Sequence, residues 1–316
     1  MRALVFDKKL EVKDVENPVR QKGEALIKVS IAGICNTDHE IIKGYVPGFS
    51  GILGHEFLGV VEESDDKDLV GKRVAGEINL ACGACEFCRK GLGRHCSNRS
   101  VLGIINKNGA FAEYLTLPEP NVFAIPDSIP DTHAIFVEPL AAALEIIEQV
   151  NIAPEHKVLL IGDGKLALLI AFVLKTTGCG LTVLGKHREK LDFARDYGMA
   201  TVLFDDFTPA LHDIVIEASG NRSGFMTALD SVKPRGTIVL KSTYAEPFAF
   251  NPFQIVVNEL TVVGSRCGRF EDAIRFLQSH RLPIDRLISA EFGLDEAEKA
   301  FALSARPDTL KVLLKI

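Results

Sequence analysis

The 316-residue chain has no tryptophan, so no indole fluorescence is available to report on a bound ligand. It has no run near the ~18 uninterrupted apolar residues that a bilayer span requires. It lacks a basic excess: 36 Lys+Arg stand against 42 Asp+Glu, a net charge of −6. A protein that grips nucleic acid shows a basic stripe or a basic domain, and this composition supplies neither. The opening Met1–Asp7 meets an acid too early to be the apolar stretch of a signal peptide. The seven cysteines are an odd number, which argues against a disulfide framework in a chain without an export signal. A cytoplasmic protein without membrane or nucleic-acid partners is the expectation.

What is present is the balance of an ordinary globular protein, 47% hydrophobic and 25% charged. The length is enough for two domains. Residues 1–138 carry short β-like runs such as Ala25–Val29 and Gly59–Glu62, punctuated by Gly and Pro. From residue 139 apolar strands alternate with helical stretches. Strands are predicted at Val158–Gly162, Leu181–Gly185, Thr201–Phe204, Asp213–Ala218, Thr237–Leu240 and Leu260–Gly264, with helices at Lys165–Thr177, Glu189–Tyr197 and Ser223–Val232. Six strands with intervening helices predict an α/β fold with a doubly wound parallel sheet over 139–268. The tail, 269–316, predicts helices at Phe270–Ser279 and Asp295–Ala305 and a final strand-like Leu310–Leu314, and is grouped with 1–138. No internal repeat and no low-complexity segment is present.

The first strand of the α/β half runs into Gly162-Asp163-Gly164-Lys165-Leu166-Ala167 and then a helix. This is G-x-G-x-x-A in the context a dinucleotide needs. Gly162 permits the turn and Gly164 admits the pyrophosphate. Lys165 and Leu166 open a helix whose free N–H groups face the phosphates. A site for NAD normally places Asp or Glu about 20 residues further on, at the end of the second strand, to hold the ribose 2′-hydroxyl. Here that place is Gly185, followed by Lys186-His187-Arg188. A missing carboxylate and a basic turn suit a 2′-phosphate, so NADP(H) is expected over NAD(H).

Four cysteines crowd into C-x2-C-x2-C-x7-C, at Cys82, Cys85, Cys88 and Cys96. Four thiolates on one loop can close a tetrahedral zinc site with no open position, which makes it structural. The same crowding could hold an iron–sulfur cluster, but nothing else in the chain suggests electron transfer. Elsewhere stand Gly33-Ile34-Cys35-Asn36-Thr37-Asp38, Gly54-His55-Glu56 and Glu138-Pro139-Leu140.

Together these motifs resemble the zinc-dependent medium-chain alcohol and polyol dehydrogenases over essentially the whole chain. Glu-Pro-Leu is similar to the polyol, glucose and threonine branch. The resemblance implies a GroES-like catalytic domain beside a Rossmann domain, two zinc ions per chain, and a homodimer or homotetramer. It implies catalytic-zinc ligands Cys35 and His55, with Glu138 or Glu56 as the third, and a fourth position left for substrate. Thr37 resembles the hydroxyl that passes the alcohol proton outward. Many relatives continue that relay with a His five residues past the cysteine, where this chain has Glu40 and places His39 one residue earlier. Ser219, Ser242, Thr243, Ser265 and Cys267 follow the ends of the fourth, fifth and sixth strands, and the resemblance puts them near the nicotinamide.

The implied activity is hydride transfer between NADP(H) and a secondary alcohol, polyol or sugar hydroxyl, or the matching carbonyl. An NAD-linked threonine-type or simple alcohol dehydrogenase is the alternative within the class. A non-catalytic nucleotide-binding relative is the remote one, because such proteins lose zinc ligands that are all present here. Only 19 residues separate Cys35 from His55, which predicts a trimmed loop over the zinc.

Overall fold

The computed structural model describes residues 1–244 and 247–316. The chain divides into two compact units, Met1–Glu138 with Phe270–Ile316, and Pro139–Arg269.

The first unit is mainly β. Its largest sheet is seven-stranded and mostly antiparallel, with the long strand Glu24–Gly33 at its centre. Burial alternates along the first part of that strand, so Ala25, Ile27 and Val29 point inward, as a half-buried strand requires. Strand Glu56–Glu63 pairs with it antiparallel, in a register that sets Gly33 opposite Glu56. The C-terminal strand Lys311–Lys315 pairs on the other side, with Leu313 opposite Gly33. One register therefore brings three distant segments to the same end of the sheet. Residues 311–314 are almost fully buried, including the charged Lys311.

The second unit is built on a Rossmann sheet of six parallel strands in the order 3-2-1-4-5-6: Lys157–Ile161, Gly180–Gly185, Ala200–Leu203, His212–Glu217, Val232–Leu240 and Thr261–Gly264 in chain order. The predicted strands are all found. The fifth begins five residues early, because Val232-Lys233-Pro234-Arg235-Gly236 continues the strand despite its loop-like composition. Leu159, Ile161, Leu184, Val215 and Ile238 pack with Phe225 and Leu229 of helix Arg222–Ser231. The ladder aligns Ile161 with Leu184 and with Glu217, Glu217 with Leu240, and Leu240 with Gly264. All the segments singled out in this half thus emerge at one carboxyl edge, where open α/β sheets bind ligands. Among the described residues no helix is long and apolar enough to cross a membrane.

Leu159 is fully buried in the central strand. Leu159→Ala should cost about 2–5 kcal/mol, transfer and cavity costs together. Urea unfolding measures this, and a loss under about 1 kcal/mol would mean that the sheet core is not packed as described.

Candidate metal centres and nucleotide turn

Cys35 leaves the central strand and caps helix Asn36–Ile42. The Asp38 carboxylate holds two turns: the Cys35 N–H donates to its Oδ2 at 2.8 Å, and Gly54 N donates to its Oδ1 at 3.3 Å. Asp38 is fully buried and so ties the cysteine turn to the Gly-His-Glu turn. Its Oδ1 also stands 3.4 Å from His55 Nδ1, within ion-pair range but not aligned for a hydrogen bond. Ligand atoms of Cys35, His55 and Glu56 all lie within 4.8 Å of one another. Thiolate, imidazole and carboxylate converging in a buried place are the donor set that zinc takes, so the residues fit the ion. Burial opposes a charge on His55, yet Asp38 and Cys35 outweigh it and hold the imidazole well above its usual value.

Glu56 has a second partner. Its Oε2 pairs with Lys311 Nζ, and both side chains are 1% exposed. Gly33 makes room for this: a Cβ there would stand 2.5 Å from Glu56 Oε2. Burial pulls the Lys311 ammonium down, but Glu56, Cys35 and Glu138 raise it above the ordinary lysine value. The ammonium also sits 5.7 Å from the Phe136 ring centroid. Glu138 opens the helix Val137–Gln149 and stays outside the 4.8 Å cluster. Its carboxyl is pushed up to about 7, by burial first and then by Glu56 and Glu77, against the pull of His55 and Lys311.

The expected relay is only partly assembled. Thr37 Oγ1 accepts from Cys35 Sγ at 3.7 Å. Glu40 is turned away onto Lys43 Nζ at 2.9 Å, where a solvent-facing ion pair satisfies it. The adjacent His39 Nε2 lies 2.8 Å from Ser304 Oγ.

The four-cysteine loop is assembled too, with all four sulfurs within 4.8 Å of one another. Their separations include 3.4 Å for Cys85–Cys88, 3.8 Å for Cys85–Cys96 and 3.9 Å for Cys82–Cys88. Sulfurs at 2.3 Å from one zinc stand about 3.8 Å apart in a tetrahedron, and a disulfide would need about 2 Å. The N–H groups of Cys88 and Ser97 draw the Cys85 thiol down to about 5, whereas burial pushes Cys88 up to about 12.

In the second unit, Gly162 adopts φ 129°, a value that a side chain would strain. Gly164 caps helix Lys165–Lys175, placing Lys165 and Leu166 in its first turn. Gly185 ends the second strand, and the basic turn follows with Lys186 and Arg188 exposed. His187 caps the next helix. Lys186 Nζ lies 5.0 Å over the Phe204 ring. The expectation that no carboxylate stands at this strand end is corrected. Asp163 reaches over from the glycine turn, and its Oδ2 accepts from the N–H groups of Lys186 and His187, both at 2.7 Å.

At the fourth strand end, buried Glu217 accepts from Ser219 N at 2.7 Å, from the Ser219 hydroxyl and from Gly220 N, and Tyr244 donates to its other oxygen at 2.6 Å. Ser242 and Thr243 follow the fifth strand, partly exposed and exposed respectively. Ser265 Oγ accepts from buried Lys241 at 3.2 Å, and Lys241 also donates to Arg266 O at 2.5 Å. Cys267 is half-buried and in no disulfide. Asp163, Glu217 and Lys241 lie in segments the sequence places at the nucleotide without giving their side chains a role, and Lys311 has no place in any motif. A lysine inside the apolar run Leu310–Leu314 was the one visible signal among them.

Two family models match the chain: the alcohol dehydrogenase GroES-like domain over residues 21–127 and the zinc-binding dehydrogenase domain over 166–279. The chain is 28% identical to D-arabinitol dehydrogenase 1 of Uromyces fabae, covering 100% of this chain and 97% of that protein. It is 30% identical to L-threonine 3-dehydrogenase of Xanthomonas campestris pv. campestris, covering 99% of both. Among solved structures, a zinc-binding dehydrogenase from Sinorhizobium meliloti 1021 bound to NADP superposes with a TM-score of 0.92 at 29% identity, covering 100% of this chain and 99% of that one.

The buried Glu56–Lys311 pair makes a direct prediction for zinc-free protein. Lys311→Met should destabilise by about 3–5 kcal/mol, because it leaves an uncompensated buried carboxylate. Adding Glu56→Gln should restore much of that. Denaturant unfolding of the three proteins decides it, and a double variant no more stable than the single one refutes the pairing.

Proposed function

This chain belongs to the zinc-binding alcohol dehydrogenase family, and on that premise we propose that it interconverts a secondary hydroxyl of a polyol or sugar with the matching carbonyl, using NADP(H). The observation that carries the reading is the convergence of half-buried Cys35 with buried His55 and Glu56. A metal-free relative would have no reason to gather a thiol, an imidazole and a carboxylate at one point. Glu138-Pro139-Leu140 and the D-arabinitol dehydrogenase relative support a polyol. The L-threonine 3-dehydrogenase relative keeps a β-hydroxy amino acid as the second reading.

A zinc ion at this centre supplies Lewis acidity that lowers the pKa of a substrate hydroxyl. Cys35, His55 and one carboxylate hold it, Glu56 or Glu138, and three protein ligands leave one position open. Asp38 serves the centre by facing His55 Nδ1, which orients the ring and leaves Nε2 free to ligate. Lys311 holds Glu56 and so competes with the ion for it. The Thr37 hydroxyl, near the cysteine sulfur, would accept the substrate's proton while releasing its own outward to water. In the second unit, Gly162 makes the turn and helix Lys165–Lys175, capped by Gly164, aims its N-terminus at the pyrophosphate. Lys186, His187 and Arg188 attract a 2′-phosphate. Strand Thr261–Gly264 is an edge of its sheet with Val262 40% exposed, which suits pairing with a second copy in a homodimer or homotetramer.

Elemental analysis should find two zinc ions per chain. Cys35→Ser combined with His55→Ala should leave one and slow polyol oxidation by roughly a thousandfold or more, the worth of a lost Lewis acid. A wild-type protein with a single zinc, or a double variant of undiminished rate, rejects the catalytic assignment. Faster turnover of L-threonine than of any polyol would select the second reading.

A further inference from the structure

Gly185 has no side chain, yet the space beside it is filled. A Cβ at residue 185 would lie 2.6 Å from both Cβ and Oδ2 of Asp163 and 2.8 Å from its Cγ. Asp163 is the middle residue of the Gly162-Asp163-Gly164 turn, and its side chain is 10% exposed. Its carboxylate takes the N–H groups of Lys186 and His187, and the His187 ring closes on it, with Nδ1 3.0 Å from Oδ2 and 3.1 Å from Oδ1. A negative charge therefore stands where the acidic residue of an NAD site would put one, delivered from the first strand end instead of the second.

The adenosine ribose hangs between the glycine turn and the second strand end in this fold. A carboxylate there accepts from ribose hydroxyls and repels a phosphate dianion. It also consumes the two backbone N–H donors that would otherwise face such a dianion. Of the basic trio, His187 is held against Asp163 and Lys186 leans over Phe204. We propose that Asp163 is the specificity-determining residue of the nucleotide site, its carboxylate favouring a free 2′-hydroxyl and opposing the attraction of Lys186–Arg188 for a 2′-phosphate. Nucleotide choice is then a contest between one carboxylate and a basic turn. The inference rests on the reading of this unit as a nicotinamide-nucleotide site and is independent of which alcohol is oxidised.

Calorimetric titration with NADPH and with NADH tests it without any turnover. Asp163→Asn keeps an acceptor for both N–H groups and removes only the charge. The ratio of the two Kd values should move at least about tenfold toward NADPH, as expected when a like charge a few ångströms away is removed. Because the ratio is read, any general loosening of the turn cancels. Asp163→Ala with Gly185→Asp returns a carboxylate from the second strand end and should bring the ratio back toward wild type. Lys186→Ala with Arg188→Ala should move it the opposite way. An unchanged ratio in Asp163→Asn, or a shift toward NADH, overturns the role of Asp163 while leaving the nucleotide site standing. If the wild type binds neither nucleotide, the site reading itself fails.

Discussion

Burying charge in an apolar unit costs several kcal/mol per ion unless partners are supplied, and the first unit is organised around that cost. Glu56, His55, Asp38 and Lys311 are all withdrawn from water within the reach of three strands. No single segment could hold them. The cysteine turn leaves the central strand, Glu56 begins its antiparallel neighbour, and Lys311 begins the strand on the other side. The register that sets Gly33 opposite both Glu56 and Leu313 is what lets opposite charges meet. A one-residue slip in either neighbour would turn these groups to the other face and leave each without its partner. Sheet register and site chemistry are thus one constraint. The Lys311 ammonium pairs with Glu56, and His55 and Lys311 together oppose the burial and the neighbouring acids that push the Glu138 carboxyl up.

A second device recurs through both units. Carboxylates at turns take backbone N–H groups that have no strand or helix partner. Asp38 holds Cys35 and Gly54, Asp163 holds Lys186 and His187, and Glu217 holds Ser219 and Gly220. Buried N–H groups need acceptors, and an ionised carboxylate is a strong one. Each of these acids sits beside a segment assigned to metal or nucleotide. The scaffold thereby ties down the loops that bear these segments.

Much of this was legible in the amino-acid sequence, because the informative signals were local. The G-x-G turn, the four cysteines and the alternation of apolar strands with helices each lie within one short window. Strand ends therefore fell within a residue or so of prediction, except where Pro234 disguised the start of the fifth strand. The assignment of Glu40 to a relay came from its distance along the chain from Cys35. In a helix, distance along the chain also decides the face, and its carboxylate is turned to Lys43 and solvent. Lys311 could not have been assigned from sequence, since 255 residues separate it from Glu56 and only the sheet joins them.

Residue 185 shows the same limit in sharper form. A fingerprint reads the acid of a dinucleotide site as a position in the chain, but the ribose encounters a charge at a position in space. Two strand ends in this fold lie side by side, with Gly162 N donating to Leu184 O at 2.8 Å, so either can deliver a carboxylate to the same volume. Gly185 and Asp163 are in this sense one feature. The glycine clears the space, and the aspartate fills it. Any side chain at 185 would collide with Asp163 as it now lies, so a residue with a side chain can enter at 185 only if Asp163 moves or is replaced. The basic turn draws a 2′-phosphate in and the middle residue of the glycine turn opposes it, so the two strand ends set the nucleotide preference together.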